Sequence, residues 1–225
     1  MQQDRILRRA LIQFARDPAL GALDMDLLGE LVRGWSNEGF SAKPEYLSAI
    51  SQAALTTSGN ILECGSGLST LLLSAAASQS GARIWALEHT PEWAVRVRKE
   101  LQQLKSSPNT HVVDAPLRAY AGFSWYDATR LPADATFSVV VCDGPPAETK
   151  GGRYGLLPVL SGRFAIGAQI FMDDAARPDE QAIMRRWVSE SGGSFTIAGH
   201  HKPYAVFTPS SNDTANEGTS MAAAR

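Results

Sequence analysis

The chain has 225 residues, 44% of them hydrophobic, and a net charge of −2 with its histidines neutral. That length and apolar content suffice for one substantial domain with its own core. The weak negative balance implies no broad basic surface, so nucleic acid is not the expected partner, and no uninterrupted apolar run reaches the ~20 residues of a membrane helix.

The start, Met1-Gln2-Gln3-Asp4-Arg5, leads into a charged amphipathic pattern rather than the apolar stretch of a signal peptide. A cytoplasmic location is expected. Residues 4–16 read as a helix whose apolar stripe is Ile6, Leu7, Leu11, Ile12 and Phe14, stopped by Asp17-Pro18. Residues 24–35 read as a second helix ending near Gly34. Gly39 and Pro44 punctuate a loop, and Pro44 opens a third helix through about Leu55. Residues 1–58 are therefore expected to form a helical N-terminal cap, covering part of an acceptor site.

From residue 60 the pattern changes to strands alternating with helices. Strands are expected at Ile61–Glu63, Arg83–Glu88, His111–Val113, Phe137–Cys142 and Ala168–Met172. Helices are expected at Ser69–Ser78, from Pro91 to about Lys105, and at Pro178–Ser189. This alternation predicts a three-layer α/β domain over residues 59–208 with a mostly parallel sheet. Phe195–Gly199 and Tyr204–Thr208 are too close together for a crossover helix, so they should close the sheet as an antiparallel hairpin. Residues 209–225 lack core-forming periodicity and read as a disordered tail. Cys64 and Cys142 lie in apolar strand-like runs and read as buried thiols in a reducing compartment.

The run Ile61-Leu62-Glu63-Cys64-Gly65-Ser66-Gly67-Leu68-Ser69-Thr70 carries the most chemistry. A strand ends in an acid, two glycines turn the backbone, and a helix begins at once. Glycine lets a ligand lie against the main chain, and the N–H groups of the new helix favour a carboxylate or another anion. Further acids end the later strands: Glu88 with His89, Asp114, Asp143, and Asp173 with Asp174. Ligands of open α/β sheets bind at those strand ends. Glu88 stands at the expected distance beyond the glycine turn for an acid that accepts from both ribose hydroxyls; alternatively it is an exposed residue before a helix. The pattern Gly65-x-Gly67-x-x-Thr70 lacks the third glycine of a dinucleotide fingerprint, and Glu63 would repel a pyrophosphate. A cofactor with an ammonium and a carboxylate but no phosphate suits the turn better.

On these residues the chain resembles the class I S-adenosylmethionine-dependent methyltransferases. Leu62-Glu63-Cys64-Gly65-Ser66-Gly67 looks like their first motif, Trp85-Ala86-Leu87-Glu88 like their acid-ended second strand, and Val139–Pro146 like their fourth-strand motif. Arg153-Tyr154-Gly155-Leu156-Leu157 and Phe171-Met172-Asp173-Asp174 resemble the small-molecule O-methyltransferase branch. The resemblance spans about residues 45–208 and implies a Rossmann-like fold, with methyl transfer to an oxygen or nitrogen of a small-molecule acceptor. It implies that Glu63, Gly65 and Gly67 line the methionine end of the cofactor, with Ser66, Ser69 and Thr70 adding hydrogen bonds; Ser69 and Thr70 are alternatively ordinary helix-start residues. Glu88 would hold the ribose beside His89, Asp114 and Ala115 would border the adenine, and Asp143 would lie near the reacting sulfonium. Trp93 either packs nearby or belongs to the core.

In the metal-dependent O-methyltransferases a fourth-strand Asp and a fifth-strand Asp-Asn pair bind a divalent cation. Asp143 and Asp173 match that set, while Asp174 stands where Asn is usual. Such oxygen ligands suit magnesium or calcium. The other reading has Asp173 capping the following helix and Asp174 solvated. Lys150, Arg153 and Tyr154 follow the fourth strand and can orient an acceptor. Tyr120, Phe123, Trp125 and Tyr126 form either an acceptor wall or ordinary packing. His200 and His201 on the last turn are expected to be exposed and idle. The expected partners are a small-molecule acceptor and a second copy of the chain, with no membrane and no nucleic acid. The rivals are a non-catalytic protein that retains the fold and a nicotinamide-dependent oxidoreductase.

Overall fold

The computed structural model describes residues 2–37, 42–104 and 109–210. Four helices come first: α1 Gln2–Arg16, α2 Pro18–Gly21, α3 Met25–Trp35 and α4 Pro44–Thr56. Strands and helices then alternate as β1 Asn60–Cys64, α5 Leu68–Ser80, β2 Ile84–Glu88, α6 Pro91–Gln103 and β3 Thr110–Asp114. Two short strands, β4 Leu117–Ala119 and β5 Ser124–Tyr126, precede β6 Phe137–Cys142, α7 Leu156–Leu160, β7 Phe164–Met172, α8 Pro178–Ser191, β8 Ser194–Ala198 and β9 Tyr204–Thr208.

Seven strands form one sheet in the order β3-β2-β1-β6-β7-β9-β8. The first five are parallel, and β9 pairs antiparallel with both β7 and β8. The order reverses between β1 and β6, which makes their carboxyl ends the switch point where ligands bind in open α/β sheets. Side-chain alternation divides the core. Ile61, Ile84, Val139 and Phe171 pack with α1, α3, α4 and α5, whereas Leu62, Trp85, Val140 and Ile170 pack with α7 and α8. The N-terminal helices thus share a continuous core with the sheet. Tyr46 of α4 is fully buried and donates its hydroxyl to the Phe171 carbonyl at 3.0 Å.

Several sequence expectations change in detail. In α1 the buried residues are Leu7, Ala10, Leu11 and Phe14, while Ile12 is 52% exposed on the far side. Asp17-Pro18 does end α1, but Pro18 also opens α2 with Asp17 as its N-cap, because proline's fixed φ suits a first helical position. Gly34 lies inside α3 rather than ending it; a Cβ there would meet the Leu7 backbone at 2.7 Å, so the glycine serves the close approach of α1. Strand β7 begins four residues before the expected Ala168, with Gly167 at φ +75 inside it and a register shift against β6. Cys64 and Cys142 are opposite neighbours on β1 and β6, and both are buried free thiols. Gly39 and residues 211–225 of the expected tail lie outside the described residues. No helix among the described residues is long and apolar enough to cross a membrane.

Candidate functional site

A cavity of about 610 Å³ opens over the carboxyl ends of β1, β2, β6 and β7. Its floor is the turn Gly65-Ser66-Gly67, with Ser69 behind it. Glu88 and His89 form one side, and Asp143, Arg153, Asp174 and Lys202 the other. Trp35 of α3 and Ala42, just before α4, also line it.

The turn is held by the two acids that flank it. Gly65 adopts φ +89, a left-handed backbone that favours glycine. Ser66 donates both its backbone N–H (3.0 Å) and its hydroxyl (2.9 Å) to Glu88 Oε2, while Thr90 N–H donates to Oε1 at 2.9 Å. Burial raises the Glu88 carboxyl, but the His89 ring and the Thr90 and Ser66 donors outweigh it and hold the group below its usual range. Glu88 is therefore a buried, pre-oriented carboxylate on the cavity wall and not an exposed residue before a helix.

Glu63 lies beneath the turn, fully buried and outside the cavity lining. Thr70 Oγ1 accepts from Gly67 N–H at 2.8 Å and donates to Glu63 Oε2 at 2.6 Å. Thr70 thus spends its hydroxyl on the fold and is not left to bind a ligand. Glu63 Oε1 has no well-formed hydrogen bond among the described residues. Burial pushes this carboxyl up to about 8, against the pull of the Ser69 and Thr70 hydroxyls. A carboxyl raised on folding binds an extra proton in the native state, so stability falls as pH climbs from about 4.5 toward about 8. Asp143 acts in the same sense from 3.8 to about 7. Replacing Glu63 by Gln is expected to remove the part of the decline that lies above pH 7, by a few degrees of melting temperature. A thermal melt series from pH 5 to pH 9 checks it; parallel curves for both proteins would contradict it.

Trp93 is not simply core. Its indole N–H donates to the Ser66 carbonyl at 2.6 Å, and its ring lines the cavity. Arg96 sits 4.2 Å from the Trp35 ring and 4.7 Å from the Trp93 ring, tying α3 to α6 at the cavity edge. Asp114 and Ala115 follow Glu88 across the sheet, with Ala115 N–H on the Glu88 carbonyl at 2.7 Å, yet neither lines the cavity. Asp114 is exposed and pairs with Arg98 at 2.7 Å.

The far side of the cavity is a charge cluster. Carboxylate oxygens of Asp143, Asp173 and Asp174 converge within 4.8 Å. Asp174 has φ +60, which turns the chain at the end of β7 and brings its side chain inward. Arg153, 3% exposed, reaches Asp174 Oδ2 at 3.1 Å and Asp143 Oδ1 at 3.3 Å, and donates to the Asp173 carbonyl at 2.5 Å. Its Nε lies 3.6 Å from buried Glu180. Lys202 Nζ lies 2.6 Å from Asp173 Oδ2 and 2.9 Å from Asp174 Oδ1, and Arg177 adds a 3.0 Å contact to Asp174.

Both sequence readings of Asp173 and Asp174 as cap and solvated residue fail. Helix α8 has Arg177 at its N-cap and no side-chain cap, and both acids are buried because paired cations compensate them. The cluster also does not suit a divalent ion. Every carboxylate oxygen of Asp173 and Asp174 already accepts from a nitrogen, since Asp173 Oδ1 takes the Asp174 N–H at 2.8 Å. Arg153, Lys202 and Arg177 already supply positive charge beside these acids, with Glu180 sharing Arg153, so a metal would have to displace the chain's own cations.

Burial, then Asp173, pushes the Asp143 carboxyl up to about 7 despite Arg153 and Lys202. Burial would make Lys202 easier to deprotonate, but Asp173 and Asp174 reverse that and raise it. Lys150 is exposed and outside the cavity lining, and His200 and His201 are exposed. Of the four aromatic residues before β6, Tyr126 alone lines this cavity; Phe123 lines a separate one with Tyr154, and Trp125 is core. The Tyr126 hydroxyl is buried without a partner among the described residues, and a Cβ on Gly144 would lie 2.4 Å from it. Nothing in residues 117–126 signalled the short hairpin that places this ring.

No protein-family model matches the chain, and no curated protein is similar enough in sequence to match. Solved structures do match in fold. A "putative caffeoyl-CoA O-methyltransferase" from Staphylococcus aureus is 11% identical, with a TM-score of 0.63 over 83% of this chain and 92% of its own. An O-methyltransferase from Bacillus cereus in complex with SAH is 13% identical, with a TM-score of 0.59 over 90% and 91%. A tRNA (m1A58) methyltransferase from Aquifex aeolicus is also 13% identical, with a TM-score of 0.53 over 78% and 72%. The sheet order, the closing hairpin and these likenesses together show that the chain has the Rossmann-like fold of the class I S-adenosylmethionine-dependent methyltransferases.

Proposed function

We propose that the protein is an S-adenosylmethionine-dependent methyltransferase acting on an oxygen or nitrogen of a small-molecule acceptor. The observation that carries this reading is one continuous cavity joining the glycine turn and Glu88 to Asp143 and Lys202. The N–H groups at the start of α5 suit the cofactor's carboxylate. Buried Glu63 acts from beneath the turn, holding Thr70 and through it the Gly67 N–H in place. Glu88 suits the ribose hydroxyls: a carboxylate has about four acceptor sites, and the Ser66 hydroxyl can rotate away from Oε2. The turn's bare backbone at Gly65 and Gly67 allows close approach.

The reaction needs little covalent help from the protein. The acceptor's lone pair forms the bond to the methyl carbon, and the carbon–sulfur bond breaks with its electrons staying on sulfur as a neutral thioether. Holding these three atoms in line is the main task. Asp143, with its carboxyl poised near pH 7, suits the removal of the acceptor's proton. No step is assigned to a divalent ion. The cover provided by Trp35 and Ala42 and the weak net charge favour a small acceptor over a polyanion.

Titration calorimetry tests the cofactor assignment. S-adenosylmethionine and its demethylated product should bind at one site, and NAD should not. Heat from NAD with none from the sulfonium compound would replace this reading with the oxidoreductase. Release of S-adenosylhomocysteine when hydroxyl and amine acceptors are supplied separates a transferase from a non-catalytic binder.

A further inference from the structure

We propose that the Lys202 ammonium is a built-in substitute for a divalent ion, and that Lys202 positions an acceptor oxygen beside Asp143. The three carboxylates converge as a cation site would require, but the cation that bridges two of them, Asp173 and Asp174, belongs to the chain. Lys202 bridges Asp173 and Asp174, lines the same cavity as Asp143, and keeps 25% of its side chain exposed. An ammonium has three donors, and two are engaged by these acids, which leaves one for an oxygen in the cavity.

The turn that carries Lys202 is held from both sides. Glu45 Oε2 accepts from His200 N–H at 2.8 Å and from His201 N–H at 3.2 Å. The Pro203 carbonyl accepts from Ala175 N–H at 2.9 Å, just beyond the two acids. Lys202 is therefore fixed by α4 and by the end of β7, and little ordering remains to be done when an acceptor arrives. The acceptor class this favours is an oxygen nucleophile that carries negative charge before it attacks and gives that charge up as the bond to the methyl carbon forms, such as a deprotonated acidic hydroxyl or a carboxylate. That part rests on the methyl-transfer reading; the replacement of the ion does not.

The test is a titration of the full-length protein with manganese(II), followed by electron paramagnetic resonance. Wild type should bind manganese at the cluster only weakly. Lys202→Ala should bind it at least roughly tenfold more tightly than wild type. Adding Asp173→Asn should abolish the gain, and Lys202→Arg should behave as wild type. Tight one-to-one manganese binding by wild type that Asp173→Asn removes would overturn the proposal. So would a folded Lys202→Ala protein with no gain; Lys202→Gln, scored identically, serves if the alanine variant does not fold. Binding of S-adenosylhomocysteine, measured on the same samples, reports on the cofactor reading separately, because the manganese readout needs neither cofactor nor acceptor.

Discussion

Replacing Glu88 by Ala is expected to weaken binding of S-adenosylmethionine by roughly 100-fold or more. Hydrogen bonds to a charged group contribute ~1.5–3 kcal/mol each, and the ribose diol offers two donors to this carboxylate. The same carboxylate also accepts three hydrogen bonds from Ser66 and Thr90, so its loss loosens the turn that receives the methionine end. Two controls separate these contributions. Ser66→Ala removes one hydroxyl contact but leaves the backbone bond, and it should cost no more than a fewfold loss. Glu88→Gln keeps the shape but turns an amide toward N–H donors, so it should fall between wild type and Glu88→Ala. Calorimetry with S-adenosylhomocysteine measures all three. Affinity of the alanine variant within threefold of wild type would remove Glu88 from the cofactor site.

A loss of similar weight is expected in stability when Arg153 becomes Met. The guanidinium is buried among Asp143, Asp174 and Glu180, and it bonds the main-chain carbonyls of Asp143 and Asp173. Burial alone would weaken its hold on its proton, yet Asp143, Glu180 and Asp174 more than reverse that. Removing one partner of a buried ionic network leaves uncompensated charge and costs ~3–5 kcal/mol. For a chain of this size that corresponds to a melting temperature lower by roughly 10 °C. Adding Glu180→Gln should recover part of the loss, because one stranded carboxylate disappears, and a double-mutant cycle measures that coupling. Thermal unfolding followed by circular dichroism is the readout. A shift under 2 °C would mean that solvent reaches this network more freely than its burial implies.

The sequence reading went furthest where neighbours in the chain decide the structure. The strand-helix alternation, the closing hairpin and the glycine turn of 65–67 are written in contiguous residues, whose periodicity and turn chemistry are local. The same logic located the strand-end acids. It missed α2, α7 and the β4–β5 hairpin, because runs of three to five residues carry too little periodicity to read. Of the two readings of Thr70, a ligand contact or a helix-start residue, the hydrogen bonds to Gly67 and Glu63 support the second.

What the sequence by itself determined is the sheet, the turn and the set of acids at the strand ends. What only the tertiary structure decided is the company those acids keep. Lys202 comes from 29 residues beyond Asp173, and Arg153 from 20 before it. Trp35 meets Trp93 only because α3 packs beside α6. Electrostatic energy depends on separation in space, and a carboxylate beside an ammonium is a different chemical object from one beside water. That is why Asp143, Asp173 and Asp174 read as a metal site along the chain and form a cluster engaged by the chain's own cations in the fold.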